Sequence, residues 1–301
     1  MCVKIFIIFS TKYYIIMSNI KYITNYLHND GFGSQYQNII SVILIALKNN
    51  FTFIYSPFTH IEHNYENDSF YIEKMEELIN IKNHFSSEKS DLIKCESYQI
   101  AKKIIDDNIN YYITSENLNI IKNIFWENKI NNEITKKKYA FGNDGDNVNN
   151  IHLSIHIRRK NIHDPLFDSY NRYIENNIFY NILSQICYIN DNKEHDKLFI
   201  GIHESIYTER KIQKKIIIHI FSQGDIHDFI CFQQLKKTFL FVEIIFHLNE
   251  DIAKSFVQMV ASDILVISPS SFSYSAALIS DGDIYYKPFW HNPLPHWKKY
   301  E

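Results

Sequence analysis

From residue 151 onward the chain alternates apolar runs of strand length with segments of helical period. That alternation leaves few folds open. Residues 151–159 read IHLSIHIRR, and 197–202, 215–221 and 239–246 are likewise strand-like. Residues 264–267 make a short, fully apolar run expected to be a buried strand. Between them, 179–189 reads as a helix. So does 251–262, with Ile252, Phe256, Met259 and Val260 at helical spacing. Strands that alternate with helices predict a parallel sheet covered on both faces. The first half opens in the same way. A short strand at 20–26 is followed by the turn HNDGFGSQ (28–35), an apolar helix at 37–47 and a strand at 51–55. That is a βαβ unit. Residues 70–135 read mostly as helices, including 73–83 and 98–107.

A chain of 301 residues can bury one large core or two medium ones. The stretch KKKYAFGNDGDNVNN (136–150) is the clearest break in composition. It divides the chain into an apolar extension (1–17), a first domain (18–140), a linker (141–150) and a second domain (151–301). The uninterrupted apolar run at the N-terminus is too short to span a bilayer. Net charge is −3, so no global basic field draws the chain to nucleic acid, and a phosphate ligand must be held locally. Cys2, Cys95, Cys187 and Cys231 are far apart and form no CxxC pair. Free thiols in a reducing, cytoplasmic compartment are the simpler account.

The chemistry concentrates at two strand ends. The chain has four arginines, and Arg158 and Arg159 stand side by side at the end of the 151–157 run. A guanidinium offers a planar, permanently charged fork for phosphate or carboxylate. Alternation puts Ile151, Leu153, Ile155 and Ile157 on one face and His152, Ser154, His156 and Arg158 on the other. His156 and Arg158 should then project together where open α/β sheets bind ligands. A charged, solvated strand tip is the alternative. The second strand end is ISPSSFSYSAALIS (267–280). Here Ser268 is expected to cap a helix with Pro269 in its first position, placing Ser270, Ser271 and Ser273 in the first turn. Hydroxyls, free N–H groups and the positive end of the helix dipole make that turn an anion site, or else a plain Ser-rich cap.

In the first half, Gly31 and Gly33 suit either a tight turn of positive φ or a ligand-facing loop. GFG is too short for a full dinucleotide fingerprint. The loop at 56–68 carries His60, Glu62 and His63 at a strand end; it fits a polar acceptor-side loop better than a metal site, since His-x-x-His alone is a poor zinc signal. Asp144/Asp146 and Asp281/Asp283 read as turns.

Four segments resemble one family. HIRRKN (156–161) looks like the His-x-Arg-Arg-x-Asp motif of the α1,2-, α1,6- and protein-O-fucosyltransferases. ASDILVISPSSFSYSAALI (261–279) is similar to that superfamily's carboxyl-terminal motif, and FSQGD (221–225) to its intermediate Gly turn. NDGFGSQYQ (29–37) resembles the Gly-x-Gly-Asn-Gln opening of the α1,2 members. The segments occur in family order. The resemblance implies a GT-B fold: two Rossmann-like α/β domains whose parallel sheets face each other across a cleft. It also implies a GDP-sugar donor, most simply GDP-fucose, held mainly by the second domain. Fucose would pass with inversion to a glycan or protein acceptor, without a metal or other cofactor.

On that resemblance Arg158 holds the donor β-phosphate, and His156 and Arg159 shape the same pocket. Asn161, Gly224, Ser270, Ser271, Phe272 and Ser273 contribute to donor binding. Asp251 and Asp263 are candidates for guanine or for structural contacts. Gly31, Gly33, Gln35, His60 and His63 line the acceptor side. The general base stays open among His60, Glu62, His63 and Asp164. Lys160 and Asn161 stand where the family usually has Gly and Asp. The loss of that carboxylate motivates a second reading, a catalytically inactive sugar-nucleotide-binding protein. The Gly31–Gly33 turn motivates a third, a Rossmann-type oxidoreductase.

Overall fold

The computed structural model describes residues 22–25, 29–64, 68–86, 115–129, 133–142, 150–159, 173–200 and 214–300. For helical residues 115–116, 133–135 and 190–200 it describes the backbone alone. The N-terminal extension, the 98–107 segment, residues 143–149 of the expected linker, Lys160, Asn161 and Asp164 lie outside the described residues. The chain divides into two compact units, Met1–Asn128 and Lys129–Glu301. Both are α/β with parallel strands.

In the first unit, strand β1 (Tyr22–Thr24), helix α1 (Phe32–Asn49) and strand β2 (Thr52–Ile54) form the βαβ element. β1 and β2 pair in parallel, with Tyr22 opposite Thr52. Helix α1 is buried along most of its length, with Ile39, Ile40, Ile43 and Leu44 at 1% exposure or less. Asn50 ends it in the left-handed conformation, φ 56°, which a short amide side chain tolerates. Helix α2 (Tyr71–Ile79), a 3-10 turn (Ile81–Asn83) and helix α3 (Ser115–Glu127) follow.

The second unit opens with helix α4 (Glu133–Phe141) and strand β3 (Ile151–Ile157). Next come helix α5 (Asn176–Ile200), strand β4 (Ile216–Ser222), a 3-10 helix (Ile226–Phe232), helix α6 (Gln233–Thr238) and strand β5 (Val242–Leu248). Helix α7 (Ile252–Ala261), strand β6 (Ile264–Val266), helix α8 (Ser271–Ile279) and strands β7 (Asp283–Tyr286) and β8 (Lys298–Lys299) complete it. The strand order is β5-β4-β3-β6-β7-β8, and every neighbouring pair is parallel. β3, the first strand of this sheet in the chain, therefore sits in its middle. The chain adds β4 and β5 on one side, then crosses back to add β6 on the other. Numbered within the sheet, this is the doubly wound order 3-2-1-4-5-6, and its switch point lies between β3 and β6.

The alternation in β3 has the expected result. Leu153, Ile155 and Ile157 join Ile216, Ile218 and Ile220 of β4 beneath Phe179, Leu183 and Ile186 of α5. Burying one such side chain stabilises the fold by roughly 1.5–3 kcal/mol. The opposite face is polar, and its histidines bond to one another. His152 Nδ1 lies 3.0 Å from His219 Nε2, and His219 Nδ1 lies 2.9 Å from His247 Nε2. Phe141 of α4 stacks on His152 with ring centroids 3.9 Å apart.

Several expectations change. Residues 197–200 continue helix α5 instead of forming a strand. An apolar run of that length does not by itself distinguish the two. Helix α4 reaches into the expected linker at Phe141, and its Lys136 and Lys137 pair with Asp281 and Asp263. The positive φ expected at Gly31 and Gly33 is absent: Gly31 has φ −68° and Gly33 lies inside α1. Gly31 is needed for space instead, because a Cβ there would stand 2.8 Å from Cδ2 of His63. His63 takes the positive φ, 71°.

Candidate functional site

β3 and β6 pair side by side, with Ile155 opposite Val266. Their carboxyl ends therefore deliver the Arg158 segment and the Ser-rich turn to one place. Arg158 Nη1 donates to Ser270 Oγ at 3.4 Å. His156 Nδ1 lies 3.0 Å from Ser268 Oγ, and its ring meets Phe272 edge-on at 5.6 Å. The two anion-suited segments, 112 residues apart in sequence, form one site.

Helix α8 starts later than expected. Its N-cap is Ser270, in an extended conformation with φ −151°, not Ser268. The Ser270 side chain makes no cap hydrogen bond and reaches Arg158 instead. Pro269 keeps Ser268 out of the helix, since proline disfavours helical backbone in the residue before it. Ser273 is fully buried, and its hydroxyl donates to the carbonyls of Ser268 and Ser270, so it braces the turn. Ser270, Ser271 and the N–H groups of the first turn remain at the positive end of the dipole, as an anion site requires.

The remaining residues divide between this edge of the sheet and other places. Arg159 turns away from Ser270: its Nη2 donates to Asn176 Oδ1 at 2.8 Å and its guanidinium lies 4.3 Å over the Phe229 ring. Gly224 follows β4 at φ 117°, its N–H and C=O both bonded to the Asn249 amide. Asp251 caps α7 by accepting from the Lys254 N–H at 2.8 Å. Asp263 stands at the amino end of β6, the edge opposite the site. There Oδ2 accepts from the His152 N–H and Oδ1 pairs with Lys137, so Asp263 ties strand starts together.

His156 is pushed down to about 3, first by desolvation and then by the neighbouring Arg158 charge. It is a neutral hydrogen-bonding ring at physiological pH, not a proton donor. His291 was not singled out from the sequence. Its Nε2 lies 3.2 Å from Ser271 Oγ, and burial pushes it down to about 4.

In the first unit, Gln35 is structural. Its amide donates to the carbonyls of Asp30 and His60, each at 2.8 Å, and so joins the two loops. The Glu62 N–H bonds to Asp30 O at 3.1 Å, and Gly31 bridges Glu62. His60 and His63 are exposed at the carboxyl end of β2. One ligand atom each from Asp30, Glu62 and His63 lies within 4.8 Å of the others. Among the described residues, no helix is long and apolar enough to cross a membrane.

No protein-family model and no curated protein matches the chain. Solved structures of NodZ alpha-1,6-fucosyltransferase are similar in outline. One soaked with GDP-fucose is 10% identical, covers 87% of this chain and 93% of that one, and has a TM-score of 0.35. One co-crystallised with GDP is 11% identical over 87% and 93%, at a TM-score of 0.30. The NodZ structure from Bradyrhizobium is 10% identical over 87% and 94%, also at 0.30. Such likeness concerns outline alone; the α/β assignment stands on the strand order and register given above.

Proposed function

We propose that the protein is a glycosyltransferase that takes its sugar from a nucleoside diphosphate, most specifically fucose from GDP-fucose. The observation that carries this reading is the meeting of Arg158 with Ser270 at the switch point between β3 and β6. The four family-like motifs support the choice of donor.

In this reading the diphosphate lies across Arg158 and the first turn of α8. Cleavage of the sugar–phosphate bond leaves negative charge on the β-phosphate, and Arg158 and the helix dipole stabilise it where it develops. Neutral His156 holds the Ser268 turn in place and adds no positive charge of its own. Arg159, anchored on Asn176 and Phe229, fixes the backbone from which Arg158 projects. Because arginine and a helix terminus supply the counter-charge, transfer needs no divalent metal. The acceptor is a glycan or glycoprotein.

A panel of radiolabelled GDP- and UDP-sugars, read as nucleotide release and sugar transfer with and without EDTA, tests this. Turnover of GDP-fucose that survives EDTA is the expected result. Loss of turnover in EDTA with recovery on Mn²⁺ would sink the metal-free mechanism. Preference for a UDP-sugar would sink the donor assignment. Tight GDP binding without turnover would identify an inactive binder.

A further inference from the structure

A nucleoside diphosphate sugar has three parts in line. The base has an edge of hydrogen-bonding groups, the diphosphate is charged, and the hexose presents faces of C–H groups. We propose that the carboxyl edge of the second sheet sorts these parts strand by strand, and that the indole of Trp290 is the platform for the hexose. This rests on the glycosyltransferase reading above.

Strand order sets the arrangement. The diphosphate site lies over β3 and β6, in the middle of the sheet. On one side, the ends of β4 and β5 carry exposed carboxylates at Asp225, Asp228 and Asp251. A carboxylate offers only acceptor lone pairs, which suits the N–H edge of a base. On the other side, the segment after β7 carries Phe289, Trp290 and His291. β7 is the neighbour of β6, and adjacent strands stand about 4.8 Å apart. The hexose is bonded directly to the phosphate, so one strand spacing is its reach.

The 289–292 segment is held firmly against α8. Tyr274 OH donates to Asn292 O at 2.7 Å, and the Tyr274 ring stacks on His291 at 4.6 Å. Trp290 Nε1 donates to His291 Nε2 at 2.8 Å. An indole N–H can only donate, so that nitrogen of His291 is an unprotonated acceptor. The Ser271 hydroxyl lies 3.2 Å from the same nitrogen. The polar edge of Trp290 is therefore engaged by His291, yet the residue is 41% exposed. What remains outward is aromatic surface without a hydrogen-bonding edge. Among the described residues beside the indole, His291 Nε2 and Asn292 O are already engaged. The C–H face of a pyranose, and the methyl group of a 6-deoxy sugar above all, needs no hydrogen-bonding partner.

Calorimetric titration of GDP and of GDP-fucose into the full chain, as wild type, Trp290→Ala and Trp290→Phe, tests the platform. Trp290→Ala should weaken GDP-fucose by about three- to tenfold, the scale of one aromatic contact, and leave GDP unchanged. Trp290→Phe should recover most of the loss. The unchanged GDP affinity shows that the variant's site is intact. Equal weakening of both ligands, or of neither, overturns the platform while leaving the glycosyltransferase reading in place. A wild-type protein that binds neither ligand overturns both.

Discussion

At the scale of single residues, Arg158 and Gly282 carry the sharpest expectations. Arg158 is bonded to Ser270, so its guanidinium already lies at the start of α8. Arg158→Lys keeps the charge but loses the planar fork. It should weaken GDP binding by roughly 1.5–3 kcal/mol, the scale of a charge-assisted hydrogen bond. Unchanged affinity by calorimetry in a folded variant would remove Arg158 from the site. Gly282 precedes β7, and a Cβ there would stand 2.3 Å from Ser262 O and 2.8 Å from Asp263 O. Both obstacles are backbone, so no rotamer change relieves them. Gly282→Ala should cost about 1–3 kcal/mol, as overpacking does, measured as a lowered midpoint in urea unfolding. Gly31 is different: its obstacle is the exposed His63 ring, which can move, so Gly31→Ala should be milder.

At the scale of elements, the polar face of the second sheet sets the response to pH. Burial lowers the pKa of His219 well below its usual value, with His247 and His152 adding to the shift. Burial also lowers His247, while Glu250 pulls it back up. His156 and His291 sit at about 3 and about 4. In the unfolded chain a histidine titrates near 6.5. Below that pH the unfolded state binds more protons than the folded one. These groups therefore contribute stability that is present above about 6.5. It is lost as pH falls toward each folded value, by up to about 1.4 kcal/mol per group and pH unit. The thermal midpoint should fall steadily between pH 7 and pH 5. A midpoint that stays level over that range would mean that His156, His219 and His291 are not held neutral in the fold. The β3 pattern showed in advance which residues share this face, because side chains alternate along a strand. It did not show that His152, His219 and His247 would meet, since that depends on β4 and β5 lying beside β3 in that register.

At the scale of the whole molecule, both anion-suited segments belong to the second unit, which has its own sheet and core. A fragment of residues 129–301 should therefore unfold cooperatively and bind GDP with the affinity of the full chain, and it should not transfer sugar. Calorimetry on the fragment checks this. A fragment that folds but binds GDP far more weakly would place nucleotide contacts in the first unit.

The α/β class, the 151–157 strand and the two anion-suited strand ends were legible in the order of residues. Periodicity is a local property, and so is the run of Ser residues that opens α8. The site's composition was legible only in part, because local pattern carries no information about neighbours across a sheet. Pairing of β3 with β6 put Arg158 against Ser270 and sent Asp263 to the opposite edge. Packing turned Arg159 onto Phe229, set the start of α8 at Ser270–Ser271 and brought His291 and Trp290 beside Ser271. Gly31 makes the same point: the glycine was plain in the sequence, but its reason, the ring of His63 resting where a Cβ would stand, exists only once two loops have met.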